Sequence, residues 1–161
     1  MGRAKRRRME RLFRGSEAPR RGPRRKRPVR TSGREAKRGD LRRAFEELRR
    51  FALTFPVATE DFPWGERVAK VGGKVFVFLG AQPVAGGSMG LSIKLPVSGP
   101  DALDLPFTKP TGYGLGRSGW VTARFEAGEH PPIEILKAWI LESYRAVAPR
   151  RLLAALDSPE P

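Results

Sequence analysis

The first long apolar pattern in the chain is helical. Beginning at Asp40, whose side chain suits a helix N-cap, apolar residues recur three or four positions apart over about four turns. These apolar residues are Leu41, Ala44, Phe45, Leu48, Phe51, Ala52 and Phe55. Charged residues of both signs occupy the opposite face, and Pro56 stops the pattern. We therefore predict an amphipathic helix that starts at Asp40.

Two strand-like runs follow, Val68–Val71 and Lys74–Leu79, and Gly72-Gly73 separates them. A two-residue glycine connection between such runs predicts a β-hairpin with a primed turn. In the second run both alternating sets of side chains are apolar, which predicts a strand that is central or covered on both faces. The preceding segment Thr59–Gly65 is rich in proline and glycine, and we predict no regular structure there.

The second half of the chain alternates strands and helices. Strands are predicted at Leu91–Leu95 and Trp120–Phe125, a single helical turn within Pro100–Leu105, and helices after Pro132 and over Arg150–Leu156. The apolar face of the long helix after Pro132 consists of Ile133, Leu136, Ile140 and Val147, widened by Ile135 and Trp139. Short hairpins with helices at the ends predict an α+β fold, in which helices pack on one face of an antiparallel sheet.

Charge divides the chain at residue 39. Residues 1–39 hold 17 Lys+Arg and 3 Asp+Glu, a net +14, whereas the rest of the chain holds 15 basic and 14 acidic side chains, a net +1. The first segment is poor in apolar residues, so it cannot bury enough area to offset the entropy of ordering. We predict a disordered Arg-rich tail at 1–39, a domain at 40–157 and a flexible end at 158–161.

The tail has three interpretations. Its block Arg24, Arg25, Lys26 and Arg27 is typical of an arm that binds phosphates without reading sequence. A second interpretation is a solubilising tail with no dedicated partner. A third is a GC-rich coding frame read upstream of the true start, in which case the mature protein lacks residues 1–39.

Several function classes are disfavoured by the residue types present. The chain has no cysteine and one histidine, His130. Thiolate chemistry is therefore excluded, and a catalytic serine–histidine pair is disfavoured because no serine lies near that histidine in sequence. The carboxylates Glu60, Asp61 and Glu66 fit a turn or cap better than an acid–base or cation site. No apolar run reaches the about 18 residues that span a bilayer, and no secretory signal is present. We expect a cytoplasmic, non-enzymatic protein with no metal and no cofactor.

The richest candidate chemistry lies in the glycine-rich loop 109–119. It contains G-x-G-x-x-G, but a strand follows it, whereas a dinucleotide site requires a helix. Lys109, Tyr113 and Arg117 stand among its glycines and suit phosphate binding and base stacking; the alternative is an ordinary hairpin connection. Lys74 and Lys94 are further candidates for phosphate contacts, or charges that discourage edge-to-edge aggregation.

Four blocks of the sequence resemble the MmcQ/YjbR family. They are Thr59–Gly65, Lys70–Phe76, Gly112–Gly114 through Ser118–Val121, and Glu142–Tyr144, within about residues 41–156. The resemblance implies an α-β(3)-α-β(2)-α order similar to secretion-chaperone folds, and it implies DNA binding. In these blocks Trp64 and Trp120 are interpreted as core or loop-anchoring rings, with a stacking platform as the alternative, and Ser143 and Tyr144 are interpreted as structural.

These observations favour a small nucleic-acid-binding protein, with DNA as the expected nucleic acid. In this hypothesis the tail supplies phosphate affinity, deleting residues 1–39 removes most of it, and the loop 109–119 is the candidate contact site. The alternative is a protein- or peptide-binding module that uses an exposed apolar sheet face or the surface at Phe76 and Phe78. Neither hypothesis involves a membrane or a small-molecule cofactor, and a monomer is the favoured state.

Overall fold

A computed structural model describes residues 32–84 and 86–158, with side chains from Leu41 onward. The elements in chain order are helix α1 (Ser32–Leu53), strands β1 (Thr59–Asp61), β2 (Arg67–Val71), β3 (Lys74–Gly80) and β4 (Met89–Lys94), helix α2 (Gly99–Ala102), strands β5 (Thr108–Pro110) and β6 (Trp120–Phe125), and helices α3 (Ile133–Val147) and α4 (Arg150–Asp157). Within these residues, no helix is both long enough and apolar enough to cross a membrane.

The strands form an antiparallel sheet. In the described part of the chain it has six strands in the order β1-β2-β3-β4-β6-β5, and every neighbouring pair is antiparallel. This confirms the predicted α+β fold and the interior position of β3. The middle helix α2 has four residues, which matches the single predicted helical turn.

The first helix begins earlier than predicted. It starts at Ser32, so the predicted start at Asp40 is wrong and the predicted tail boundary at residue 39 falls inside the helix. Ser32 and Glu35 have the spacing of a capping box, and no proline interrupts the segment that follows. The predicted disorder of the tail concerns mainly residues 1–31, which lie outside the described residues, and there it stays a prediction.

The sheet also has two short edge strands that the sequence pattern does not reveal. β1 occupies Thr59–Asp61, where no regular structure was expected, and β5 occupies Thr108–Pro110. Each has three residues, too few to show an alternating pattern. Both edges are short, and Pro110 removes a donor from one of them, features that protect an edge from pairing with other chains.

The β2–β3 hairpin has the predicted glycine turn. Gly72 and Gly73 have φ values of 56° and 78°, so both central residues of the turn are left-handed, as a type I′ turn requires. This confirms the primed turn expected from the Gly-Gly pair. A side chain at Gly72 would also approach Pro149, whose Cγ lies 3.3 Å from the position of an added Cβ.

The core lies between one face of the sheet and the helices α1 and α3. Its largest fully buried side chains include Tyr144, Phe45, Phe76, Leu48, Leu79, Met89, Ile93, Leu95, Leu136 and Ile140. The predicted apolar stripe of α1 is therefore confirmed. Ile135, predicted to widen the apolar face of α3, is 46% exposed instead, because it lies at the margin of the face that contacts the sheet.

A register shift in strand β3 decides which way its phenylalanines point. The pairing of β2 with β3 shifts between Ala69 and Lys70, which leaves Phe76 as an extra residue of β3. The neighbours Phe76 and Val77 are therefore both fully buried on the helix side. Phe78 lies on the opposite face. The predicted surface formed by Phe76 and Phe78 together is therefore wrong, since an irregular register of this kind breaks the alternation of faces.

Helix α3 is bound to distant loops by two neighbouring polar side chains. The Oε1 atom of Glu142 accepts hydrogen bonds from the backbone N–H groups of Val97 and Ser98, at 2.8 and 2.9 Å. The hydroxyl of Tyr144 donates to the carbonyl oxygen of Pro56 at 2.7 Å. Burial raises the pKa of Tyr144, so the phenol keeps its proton and the hydrogen bond throughout the neutral range.

Ser143, which lies between Glu142 and Tyr144, joins two strands. The hydroxyl of Ser143 donates to the carbonyl oxygen of Phe76 in β3 and accepts from the backbone N–H of Lys94 in β4 at 2.9 Å. Ser143 is fully buried. Three consecutive residues of one helix therefore bind the loop before β1, the strands β3 and β4, and the loop after β4, which confirms the structural role predicted for Ser143 and Tyr144.

Candidate functional site

The sheet face opposite α1 and α3 carries a row of four side chains across neighbouring strands. Phe78 pairs with Ser92, Ser92 with Thr122, and Thr122 with Lys109. Directly opposed residues of antiparallel strands lie on the same face. The row, called here the cross-strand row, therefore runs from an aromatic ring through two hydroxyls to an amine.

The hydroxyls of the cross-strand row form a network with Thr111. The Oγ1 atom of Thr122 lies 2.8 Å from the Oγ of Ser92 and 2.9 Å from the Oγ1 of Thr111. All three residues are half-buried. A hydroxyl group offers one proton and two lone pairs, so the network can donate to a ligand and accept from it.

The glycine-rich connection between β5 and β6 has regular structure in its second half. It contains a 3-10 turn at Leu115–Ser118, with Gly114 and Gly119 on either side at φ values of 77° and 83°. The turn packs tightly, because a Cβ added at Gly116 would lie 2.9 Å from the Cβ of Pro110. Strand β6 follows, so the geometry of a dinucleotide-binding helix N-terminus is not formed here.

Tyr113 precedes this turn in an uncommon backbone conformation. Its φ is 59°, and its side chain is 105% exposed relative to the reference state. A non-glycine residue in the left-handed region costs of order 1–3 kcal/mol, and burial of the ring does not offset that cost here. The loop therefore holds an aromatic ring in solvent, beside the cleft described next.

A cleft of about 570 Å³ lies over the cross-strand row. Its lining combines aromatic, hydroxyl and charged side chains, among them Phe78, Tyr113, Ser92, Thr111, Thr122, Glu66, Lys109 and Arg124. The volume falls within the range of about 300–1,000 Å³ typical of ligand sites. This cleft is the candidate site.

The charges that line the cleft have both signs. Lys109 and Arg124 are positive and Glu66 is negative. The Nε of Arg124 lies 3.0 Å from the Oε1 of Glu126, and the two side chains are 60% and 62% exposed. An ion pair this exposed contributes about 0–1 kcal/mol, so a ligand phosphate can replace Glu126 as the partner of Arg124 at little cost.

The three loop residues predicted as contacts lie close in sequence but differ in position. Lys109 and Tyr113 both line the cleft. Arg117 lies within the 3-10 turn of the same connection, exposed and outside the lining residues. The structure therefore brings an amine and an aromatic ring to one cleft, and Arg117 is not part of its lining.

The other predicted basic residues that the structure describes, Lys74 and Lys94, do not line the cleft. Lys94 pairs with Trp120 on the face of the cleft, whereas Lys74 pairs with Val71, whose side chain belongs to the helix-side core. The two lysines therefore form no common basic face, because their register positions alternate between faces. The block Arg24, Arg25, Lys26 and Arg27 lies outside the described residues.

Sequence reasoning missed the hydroxyls and Arg124. Ser92 and Thr122 alternate with buried residues in β4 and β6, as polar positions of half-buried strands do. That alternation was the available signal. However, the two residues are 30 positions apart, and the strand register that makes them neighbours is not visible in the residue pattern.

The carboxylates Glu60 and Asp61 stabilise the fold. Glu60 accepts two hydrogen bonds from the guanidinium of Arg49, each 2.7 Å long, and this pairing lowers the pKa of Glu60. Asp61 accepts from the amine of Lys70 at 2.6 Å, which lowers the pKa of Asp61. Both carboxylates are therefore ionised at neutral pH and tie β1 to α1 and β2.

Trp64 departs from the structural role predicted for it. It lies in a 3-10 turn at Pro63–Gly65 with a φ of 54°, and its side chain is 93% exposed. The prediction of a buried or loop-anchoring ring is wrong for Trp64, because the turn directs its side chain into solvent. It is confirmed for Trp120, which is 8% exposed and packs against Phe78 with ring centroids 5.3 Å apart.

The model of the YjbR family matches residues 53–146, a segment that runs from the end of α1 through most of α3 and includes the whole sheet. No curated protein matches the chain. The matched segment contains the described lining of the cleft and the three anchoring residues of α3.

Proposed function

The chain belongs to the YjbR family, and from that premise we propose that it is a small, non-enzymatic, cytoplasmic protein that binds nucleic acid, with DNA as its target. The observation that carries this proposal is the cleft over the cross-strand row. There Lys109 and Arg124 supply positive charge for phosphates, and the exposed ring of Tyr113 supplies a stacking surface. DNA binding is also the activity that the family resemblance implies.

The distribution of charge supports two separate contributions to affinity. Residues 1–30 hold 14 basic and 2 acidic side chains, a net +12, and such a segment binds phosphates by releasing counterions. The remaining chain is close to neutral, so its affinity depends on particular side chains in the cleft. The tail supplies strength without selectivity, and the cleft supplies selectivity.

The non-enzymatic part of the proposal is supported by the state of the carboxylates. A general acid or base works best when its pKa lies near the working pH. Ion pairs lower the pKa of Glu60 and Asp61 away from neutrality and fix both side chains in the fold. The hydroxyl network in the cleft is suited to binding, since hydroxyls hold their protons at neutral pH.

The test is fluorescence-anisotropy binding of a short DNA, as single strand and as duplex, to the full chain and to residues 31–161 over a salt series. The truncation starts at residue 31 because α1 begins at Ser32. We expect loss of the tail to lower affinity and to flatten the dependence of log K on log salt, which is about 0.9 per neutralised phosphate for duplex DNA.

A matched pair of variants locates the remaining affinity. Lys109→Ala should weaken the binding of residues 31–161 and reduce the salt slope by about one phosphate contact. Lys74→Ala removes the same charge on the other side of the sheet and should leave binding as it is. If neither the full chain nor residues 31–161 binds either form of DNA at low salt, the proposed function is wrong.

A further inference from the structure

The cleft has the dimensions and chemistry of a site for one nucleotide. Its volume of about 570 Å³ accommodates a base with its sugar and phosphate, within the usual range for small ligands. Two aromatic rings of the lining can contact a planar group. Phe78 belongs to the sheet surface, and Tyr113 is exposed on the loop. Base–aromatic stacking of this kind tolerates every base, because each base has a π-face.

The positive and negative side chains of the cleft belong to different parts of its lining. Lys109 and Arg124 lie on the neighbouring strands β5 and β6, where they can bind a phosphate, and Glu66 precedes β2 at another part of the lining. A carboxylate there would repel a second phosphate but can accept a hydrogen bond from the exocyclic amino group of a base. A nucleotide matches this arrangement, because it has an anionic phosphate at one end and amino donors on its base at the other.

We infer that the cleft takes one unpaired nucleotide of a single strand, with its base against Tyr113 and Phe78 and its phosphate at Lys109 and Arg124. The inference rests on the proposed function and specifies the form of nucleic acid that the domain selects. In a duplex, each base is stacked and paired, so none can enter the cleft unless it leaves the stack at a cost of a few kcal/mol. Single strands present their bases without that cost.

The backbone of Tyr113 supports this assignment. The left-handed conformation at φ 59° sets the direction in which the Cα–Cβ bond of Tyr113 leaves the backbone, while the tight packing of Gly116 on Pro110 holds the loop in shape. A loop backbone ordered before the ligand arrives loses less conformational entropy when the ligand binds. Strain of this kind is typical of binding sites.

The test compares single-stranded and duplex DNA of one sequence, with the full chain at one salt concentration. Tyr113→Ala should weaken single-strand binding about 5- to 150-fold, the range for loss of a stacking aromatic, and should change duplex binding less than about twofold. Tyr113→Phe keeps the ring and should restore single-strand binding. Because Tyr113 is fully exposed, thermal unfolding should be unchanged in both variants, which excludes misfolding as the cause of any loss.

Two outcomes would overturn the inference while leaving the proposed function intact. One is a Tyr113→Ala variant that loses single-strand and duplex affinity equally, or neither; the domain would then bind DNA without selecting unpaired bases. The other is a free mononucleotide that binds as tightly as the strand, which would assign the cleft to a soluble nucleotide. Failure of the full chain to bind any DNA would instead overturn the proposed function itself.

Discussion

The two faces of the sheet obtain their order in different ways. On the helix side, apolar side chains such as Phe45, Leu136 and Ile140 are fully buried, and they stabilise the fold by removing apolar surface area from water. On the cleft side, Ser92 and Thr122 are half-buried and depend on a strand register that places one hydroxyl opposite another. Burial fixes the fold on one face, and register creates candidate chemistry on the other.

The largest expected effect tests the helix side. Ile140→Ala removes a fully buried side chain of α3, and deletions of this kind cost about 2–5 kcal/mol, because they lose transfer energy and leave a cavity. Urea denaturation monitored by circular dichroism measures the change in the free energy of unfolding. The control is Thr122→Val, which keeps the side-chain shape on the cleft side and should cost about 1 kcal/mol or less. Equal losses would show that the two faces do not differ as described.

A smaller effect tests the polar contact that crosses the core. Ser143→Ala leaves the carbonyl of Phe76 and the N–H of Lys94 without their shared partner, and a buried unsatisfied group costs about 1–3 kcal/mol. Ser92→Ala removes a hydroxyl of the same type from the half-buried cleft side, where water can replace it, and should cost less. Thermal and urea unfolding of both variants measure the difference. A larger loss for Ser92→Ala would contradict the assignment of Ser143 as the structural hydroxyl.

The smallest effect concerns the ion pair between Arg49 and Glu60, and this effect depends on pH. Because Arg49 lowers the pKa of Glu60 in the folded protein, the folded state holds fewer protons than the unfolded state. The stabilisation is complete above the ordinary carboxyl pKa of about 4.3 and fades as pH falls through the lowered value. Glu60→Gln should therefore destabilise the protein by about 1 kcal/mol at pH 7, and the difference from wild type should disappear in acid.

Urea unfolding at neutral and acidic pH measures this convergence. The exposed pair Arg145–Asp157 provides the control, since Asp157→Asn removes a carboxylate from an equally close but more exposed contact and should change stability less than Glu60→Gln does. A Glu60→Gln deficit that stays constant from pH 7 to below the carboxyl range would show that the ion pair is not its source.

Much of the fold follows from the sequence because burial leaves a periodic mark. The apolar stripe of α1, the turn at Gly72-Gly73 and the strand Trp120–Phe125 are visible in the residue pattern, and the structure confirms them. The start of α1 at Ser32 was missed because a polar helix has no apolar stripe to mark it. The edge strand β1 was missed, and β5 was expected only from the order that the family resemblance implies, because three residues show no period.

The candidate site follows from the sequence only in part. Lys109 and Tyr113 stand out because charged and aromatic residues among glycines are unusual in a structural connection. Ser92, Thr122 and Arg124 do not stand out, because hydroxyl and charged residues are ordinary at the polar positions of a strand. Their meaning depends on pairing between strands distant in the chain, and a register shift such as the one between Ala69 and Lys70 reassigns faces without any mark in composition.

The three anchoring residues of α3 set a limit on how this protein can change during evolution. Successive residues of a helix point about 100° apart, and Glu142, Ser143 and Tyr144 use three successive directions to bind the loop after β4, the strands β3 and β4, and the loop before β1. A single inserted or deleted residue between Ile133 and Leu141 would rotate all three anchors away from their partners at once. The length of helix α3 before Glu142 is therefore fixed to the residue.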